Sequence, residues 1–274
     1  MADSWSCWTD DKGGVLLDLA GVFYDGETAM PGGIDAVARL RQAGLAVRFV
    51  SNTTRSSKQR VLERLEAMGL TVTKADVLTP AHAAREWLLR NGRAPYLLVH
   101  PGLAPDFCEL PDRDERAVIV GDAGDAFTYA ALNDAFRELS AGAELLALAT
   151  NRTFRDADGG LSLDAGPFVA ALEFASLKRA IVLGKPSPAF FLSALASMGC
   201  PPDQAIMVGD DAEADIAGAL RAGLSGALLV RTGKYRQGDE KRFDPRPTAT
   251  VADLAAATDW IIARELQSGS AIEC

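Results

Sequence analysis

The chain has 274 residues, 48% of them hydrophobic and 24% charged, which is length enough for one large domain or two modest ones around a sizeable core. Its net charge of −9 argues against a nucleic-acid or anionic-membrane partner, and no apolar run approaches the roughly 18 residues that span a bilayer. Four scattered cysteines (Cys7, Cys108, Cys200, Cys274) and only two histidines exclude a disulfide framework and fit zinc poorly. The opening Met1–Asp11 is acidic, carries two tryptophans and lacks a signal-peptide pattern, so the expected location is cytoplasmic.

In chain order, Val15-Leu16-Leu17-Asp18 reads as a buried parallel strand ending in a carboxylate, followed by a short flap. A helix is expected over Ile34–Ala43, with Ile34, Val37 and Leu40 on one face and Gly44 stopping it. Val47–Ser51 is the next strand, and Val61, Leu62, Leu65 and Met68 stripe the helix that ends at Gly69. Thr79-Pro80 reads as the N-cap and first position of a helix to Arg90, closed by Gly92. Strands follow at Tyr96–Val99, Ala117–Val120 and Leu145–Ala149, then a hairpin over Arg155–Leu163 turning at Asp158-Gly159-Gly160, and a helix at Pro167–Ala175. The last stretch gives a strand at Ala205–Val208, a helix over Ala212–Ala222, a strand at Ala227–Val230 and a helix at Leu254–Leu266. This alternation implies an α/β fold with a mostly parallel sheet: a core from about 1–79 and 180–274, interrupted by an inserted domain at about 80–179.

Four apolar runs end in polar residues: Asp18; Ser51-Asn52-Thr53; Gly184-Lys185-Pro186; and Gly209-Asp210-Asp211 with Asp215 following. If the strands share one sheet, these groups meet at its carboxyl edge, where α/β sheets bind ligands. Each has a plainer reading alone: a turn aspartate, a helix cap, a solvated lysine, or acids near a helix N-terminus. Together they suit phosphoryl transfer, with an aspartate nucleophile, hydroxyls and amides for phosphoryl oxygens, a lysine to offset charge, and paired carboxylates for Mg²⁺.

The set Asp18…Ser51…Lys185…Gly209-Asp210-Asp211…Asp215 resembles the four motifs of the haloacid-dehalogenase-like hydrolases. Asp18 and Ser51 are 33 residues apart and Ser51 and Lys185 134, so the insertion falls where the C2-capped phosphatases carry theirs. Further stretches, among them Gly184-Lys185-Pro186-Ser187-Pro188 and Val230-Arg231-Thr232-Gly233-Lys234, are most similar to the phospholysine/phosphohistidine/inorganic pyrophosphate phosphatase group. The resemblance implies a Rossmann-like parallel-sheet core with an inserted α/β cap of the C2 type. It further implies that Asp18 is nucleophile and Mg²⁺ ligand, that the Ala20 carbonyl, Asp210 and Asp215 complete the metal site, and that Lys185 pairs with Asp18 and the phosphate. Ser51, Asn52 and Thr53 would contact the phosphoryl group, and Asn151 of the cap would face a small phosphorylated substrate. A homodimer is one assembly that caps of this kind support.

One position departs from the family pattern. Most members carry an aspartate two residues after the nucleophile, as general acid and base, and this chain has Ala20. The missing acid points toward activated phosphoryl groups (pyrophosphate, phosphoramidates, aryl phosphates), whose leaving groups need least help. It also leaves open a non-catalytic phospho-ligand binder. The C–P-cleaving hydrolases that share the alanine insert their cap between the first two motifs, where 33 residues leave no room.

Overall fold

Strands rich in Val, Ile and Leu and buried along both faces dominate this molecule, as parallel strands between helical layers must be. The computed structural model describes residues 13–155 and 160–269. The readings of Met1–Asp11, of Cys7 and Cys274, and of the turn at Asp158-Gly159 lie outside them. In chain order come β1 (Gly14–Asp18), a small hairpin of β2 (Tyr24–Asp25) and β3 (Thr28–Ala29), α1 (Gly33–Gln42), β4 (Ala46–Val50), α2 (Lys58–Ala67), β5 (Val77–Leu78) and α3 (Pro80–Asn91). Next are β6 (Ala94–Leu98), β7 (Arg116–Val120), α4 (Tyr129–Ser140), β8 (Glu144–Ala147), the antiparallel pair β9 (Thr153–Arg155) and β10 (Leu161–Leu163), and α5 (Ala165–Ser176). The chain ends with β11 (Ile181–Val182), α6 (Pro188–Ala196), β12 (Ala205–Gly209), a π turn at Ala212–Ala217 running into α7 (Gly218–Arg221), β13 (Gly226–Val230), β14 (Ala249–Val251) and α8 (Leu254–Gly269).

Two parallel sheets result. The first has six strands in the order β14-β13-β12-β1-β4-β5 and the second four in the order β11-β8-β7-β6. Along β1 the side chains alternate between two cores, Val15 and Leu17 toward one and Leu16 toward the other. Val37, Leu40, Leu65 and Ile261 of α1, α2 and α8 cover the first face, and Phe190, Phe191 and Ala219 of α6 and α7 the second. Fully burying each such side chain contributes about 1.5–3 kcal/mol. The second sheet is likewise sandwiched, with α4 and α5 over one face and α3 over the other. Among the described residues no helix is long and apolar enough to cross a membrane.

Several local expectations meet a physical reason to shift. Thr79 caps α3 by accepting from the His82 amide at 3.3 Å, with Pro80 at the first position and Gly92 ending the helix at φ 62°. In α1 the buried stripe is Gly33, Ala36, Val37 and Leu40, while Ile34 is 38% exposed, because steps of three each fall about 60° short of a turn and carry Ile34 off the face that Leu40 shares with residues 33, 36 and 37. The expected helix over Ala212–Ala222 opens with a π turn, held wide by the Asp215 and Ile216 amides both donating to the Asp211 carbonyl. The largest correction concerns Gly184-Lys185-Pro186. These residues follow β11, which pairs with β8 of the second sheet (Ile181 with Leu146, Val182 with Ala147), so only three of the four polar strand ends belong to the main sheet.

Candidate active site

β1 lies at the centre of the main sheet with β12 on one side and β4 on the other, so chain order reverses across it and opens a crevice at its carboxyl end. Asp18 is the last residue of β1 and is buried; Asp210 follows β12 and is buried as well. The π turn after β12 brings Asp215 back beneath the strand end, where its Oδ2 accepts from the Asp211 amide at 3.1 Å. Gly209 permits that return: a Cβ there would stand 2.3 Å from the Cβ of Asp215. Oxygens of Asp18, Asp210 and Asp215 lie within 4.8 Å of one another.

Lys185 answers part of this charge. Its ammonium is buried, 2.5 Å from Asp18 Oδ1 and 2.6 Å from Asp215 Oδ1, and donates to the Val50 carbonyl at 3.2 Å. Burial alone would lower its pKa, but the two carboxylates outweigh that and hold it above the ordinary lysine range. Burial, together with the neighbouring carboxylates, pushes Asp210 up to about 8. Burial also raises Asp215, to about 6, against the pull of Lys185. Three buried carboxylates thus lie around one ammonium that contacts Asp18 and Asp215 but not Asp210, and Asp215 Oδ1 has no aligned hydrogen bond despite that contact. Hard carboxylate oxygens gathered within 4.8 Å and an excess of negative charge suit Mg²⁺, so these residues fit that ion.

Asn52 explains how Lys185 arrives from the other sheet. Its amide nitrogen donates to the Lys185 carbonyl at 2.9 Å and its Oδ1 accepts from the Lys185 amide at 2.8 Å, so both ends of the side chain grip that backbone. Ser51, buried at the end of β4, accepts from the Thr53 amide at 3.2 Å, and Thr53 is half-buried beside it. Ala20 sits exposed in the turn after β1, bridged to Tyr24. Asn151 lies further away, after β8; its carbonyl accepts from the Gly166 amide, and among the described residues no hydrogen bond joins it to the carboxylates.

Sequence reasoning missed two supports. The Lys234 amide donates to Asp210 Oδ2 at 2.7 Å, and its ammonium lies 3.3 Å from Asp211. Gly21 and Gly233, both at positive φ, leave room for Asp210, since a Cβ on either would come within about 2.1 Å of its Oδ2. The only sequence signal was a Thr-Gly-Lys run after a strand. The second is a contact between the two sheets: Arg55, just past the Ser51 loop, pairs with buried Asp122 after β7 at 2.5 Å and lies 4.7 Å over the Phe154 ring.

Comparison with known proteins places this geometry among relatives. A sequence profile described as haloacid dehalogenase-like hydrolase matches residues 15–111, and a second HAD-hydrolase-like profile matches 182–257. The chain is 43% identical to human haloacid dehalogenase-like hydrolase domain-containing protein 2, covering 90% of this chain and 95% of that one. It is 40% identical to human phospholysine phosphohistidine inorganic pyrophosphate phosphatase, over 91% and 94% of the two. A glycerol phosphate phosphatase from Mycobacterium tuberculosis, solved in complex with magnesium, superposes with a TM-score of 0.76 at 30% identity, covering 89% of this chain and 76% of that one.

Proposed function

The chain belongs to the haloacid dehalogenase-like hydrolases, and on that premise we propose that it is a Mg²⁺-dependent phosphatase that forms an aspartyl-phosphate on Asp18. The observation that carries the reading is the buried ammonium of Lys185, bridging Asp18 and Asp215 beside Asp210. A structural salt bridge has no need of a third buried carboxylate, whereas a phosphoryl-transfer site does. A carboxylate oxygen of Asp18 attacks phosphorus, the leaving group departs with the bonding electron pair, and water then releases inorganic phosphate and restores Asp18. Lys185 offsets the charge of nucleophile and phosphoryl group, and the Ser51 hydroxyl and the amides of its loop receive phosphoryl oxygens. Mg²⁺, held by Asp18, Asp210, Asp215 and the Ala20 carbonyl, would supply further positive charge at the phosphoryl group. Asn52, with both side-chain ends engaged on Lys185, positions that lysine.

Ala20 narrows the substrate. Without a side-chain acid, any proton for the leaving group must come from solvent or already sit on the substrate, which favours pyrophosphate, aryl phosphates and N-protonated phosphoramidates over alkyl phosphates. General acid–base help is worth about 10²–10⁴-fold, so its loss slows turnover unevenly rather than ending it. The relative named for phospholysine, phosphohistidine and inorganic pyrophosphate supports that class. The test is turnover of pyrophosphate, an aryl phosphate, a phosphoramidate and several sugar phosphates with Mg²⁺ or EDTA, in wild type and Asp18→Asn. Turnover abolished by EDTA and by the substitution, and fastest on the activated substrates, is expected. Faster hydrolysis of sugar phosphates would sink the substrate assignment. Tight phosphate binding without any turnover would make the protein a phospho-ligand binder instead.

A further inference from the structure

Away from the carboxylate cluster, a cavity of about 320 Å³ opens between elements of the two sheets. One wall comes from α2 and the turn before β5, with Lys58 and Lys74. The other comes from α3, with His82 and Arg85, and from the segment after β6, with Asp106 and Glu109. α2 packs into the core of the first sheet through Val61, Leu62 and Leu65, and α3 into that of the second through Ala81, Ala84 and Leu88. Anything filling the cavity therefore touches both units.

Some cations elsewhere meet carboxylates, as in Arg39–Asp259, Arg64–Glu27 and Arg93–Glu115, while others such as Arg41, Lys178 and Arg236 donate only to backbone carbonyls. Among the described residues, the ammonium groups of Lys58 and Lys74 have neither an ion pair nor a hydrogen bond. Arg85 uses only Nη1, donating to the carbonyls of Cys108 at 2.7 Å and Asp106 at 3.4 Å, which leaves donors on Nε and Nη2. The one half-buried acid is already engaged: both oxygens of Asp106 accept from the Lys58 amide, at 2.9 and 3.1 Å, and so cap α2. Glu109 is exposed.

We propose that this cavity is a second ligand site, taking a small metabolite with a phosphate or polycarboxylate group between Lys58, Lys74 and Arg85 and thereby bridging the two units. The size suits such a molecule, since small-ligand sites begin near ~300 Å³. Three cations line it against the carboxylates of Asp106 and Glu109. Burial lowers the pKa of Lys58, Asp106 raises it, Lys74 lowers it again and Glu86 raises it. Burial also lowers His82, Lys58 and Arg85 add to that, and Glu86 opposes it. Crowded cations that disfavour one another are relieved by an oxyanion, and a guanidinium with free donors can hold it in a defined geometry.

Calorimetric titration of the full-length protein in metal-free buffer, with inorganic phosphate and with citrate as probes, tests this. Wild type should bind one of the probes at a site that the Lys58→Gln/Lys74→Gln variant weakens at least tenfold. Aryl phosphate turnover of the variant, measured without either probe, should stay at the wild-type level, which also shows that it is folded. Phosphate binding at that site assigns a phosphate ester, and citrate binding a polycarboxylate. Binding unchanged by the double substitution, or no binding of either probe at millimolar concentration, overturns the proposal. Because turnover and cavity binding are read separately, failure here leaves the reading of the carboxylate site untouched.

Discussion

Replacing Lys185 with methionine tests the electrostatic core of the site directly. The side-chain volume is kept, but the ammonium 2.5 Å from Asp18 and 2.6 Å from Asp215 is lost, and both carboxylates stay buried. Breaking a buried pair by removing one partner costs about 3–5 kcal/mol, because a desolvated charge remains behind. At roughly 2–4 °C per kcal/mol, the unfolding midpoint should fall by about 10 °C. The loss must depend on pH. Asp210 and Asp215 have pKa values pushed up to about 8 and about 6, so both are largely protonated at pH 5 and their share of the uncompensated charge fades there. Lys185 is itself held above the ordinary lysine range and stays charged across this window in wild type. Thermal unfolding of both proteins in EDTA, at pH 5 and pH 8, is the assay. The destabilisation should be clearly larger at pH 8. An equal loss at both pH values, or less than about 1 kcal/mol at pH 8, would refute the claim that this ammonium compensates the cluster.

Three further outcomes follow from the same geometry. Carboxyl groups whose folded pKa is raised bind more protons folded than unfolded, so metal-free wild type should lose stability as pH climbs from about 4 toward 8. Mg²⁺ should restore more of it at pH 8 than at pH 5, and a stability profile that rises with pH in EDTA would contradict this. Ala20→Asp, at an exposed position beside the nucleophile strand, should raise sugar phosphate turnover by about 10²-fold and pyrophosphate turnover by less, read as kcat on each. Gly233→Ala would place a Cβ 2.0 Å from Asp210 Oδ2, so the Mg²⁺ concentration for half-maximal activity should rise at least tenfold. Gly238→Ala is the control, since it shares the positive φ but has nothing within 4 Å, and it should leave that concentration unchanged.

The parts of the site that sequence makes visible are those with a local cause. Asp18 and Asp210 stand out because each ends an apolar run that can only be a buried strand, and their strands are neighbours in the sheet. The flanking helices were legible through caps and stripes, Thr79-Pro80 most clearly. What escaped depends on distant parts of the chain. The Lys234 amide that serves Asp210 is a backbone group, and no residue type advertises it. The short edge strand β5 has two residues and no periodicity to detect. The grip of Asn52 on Lys185 spans 133 positions, and a local pattern sees only a polar residue after a strand.

The position of Lys185 carries the most consequence, because its reach to Asp18 does not come from the sheet that holds Asp18. β11 belongs to the second sheet, and the chain leaves it through Gly184 to enter α6 on the first. At that crossing the backbone is tightly confined: a Cβ on Gly184 would stand 2.3 Å from the Leu148 carbonyl and 2.9 Å from Asn52 Oδ1. Asn52 then ties the crossing to the end of β4, and three residues on Arg55 ties the same loop to Asp122 at the end of β7. The loop after β4 is therefore held by the second sheet through Asn52, Thr54 and Arg55 while Ser51 lines the crevice of the first. A shift of one sheet against the other must move the Ser51 loop and the Lys185 ammonium together, and with them the charge balance around Asp18. The backbone of one lysine thus joins the second sheet to the carboxylate cluster of the first.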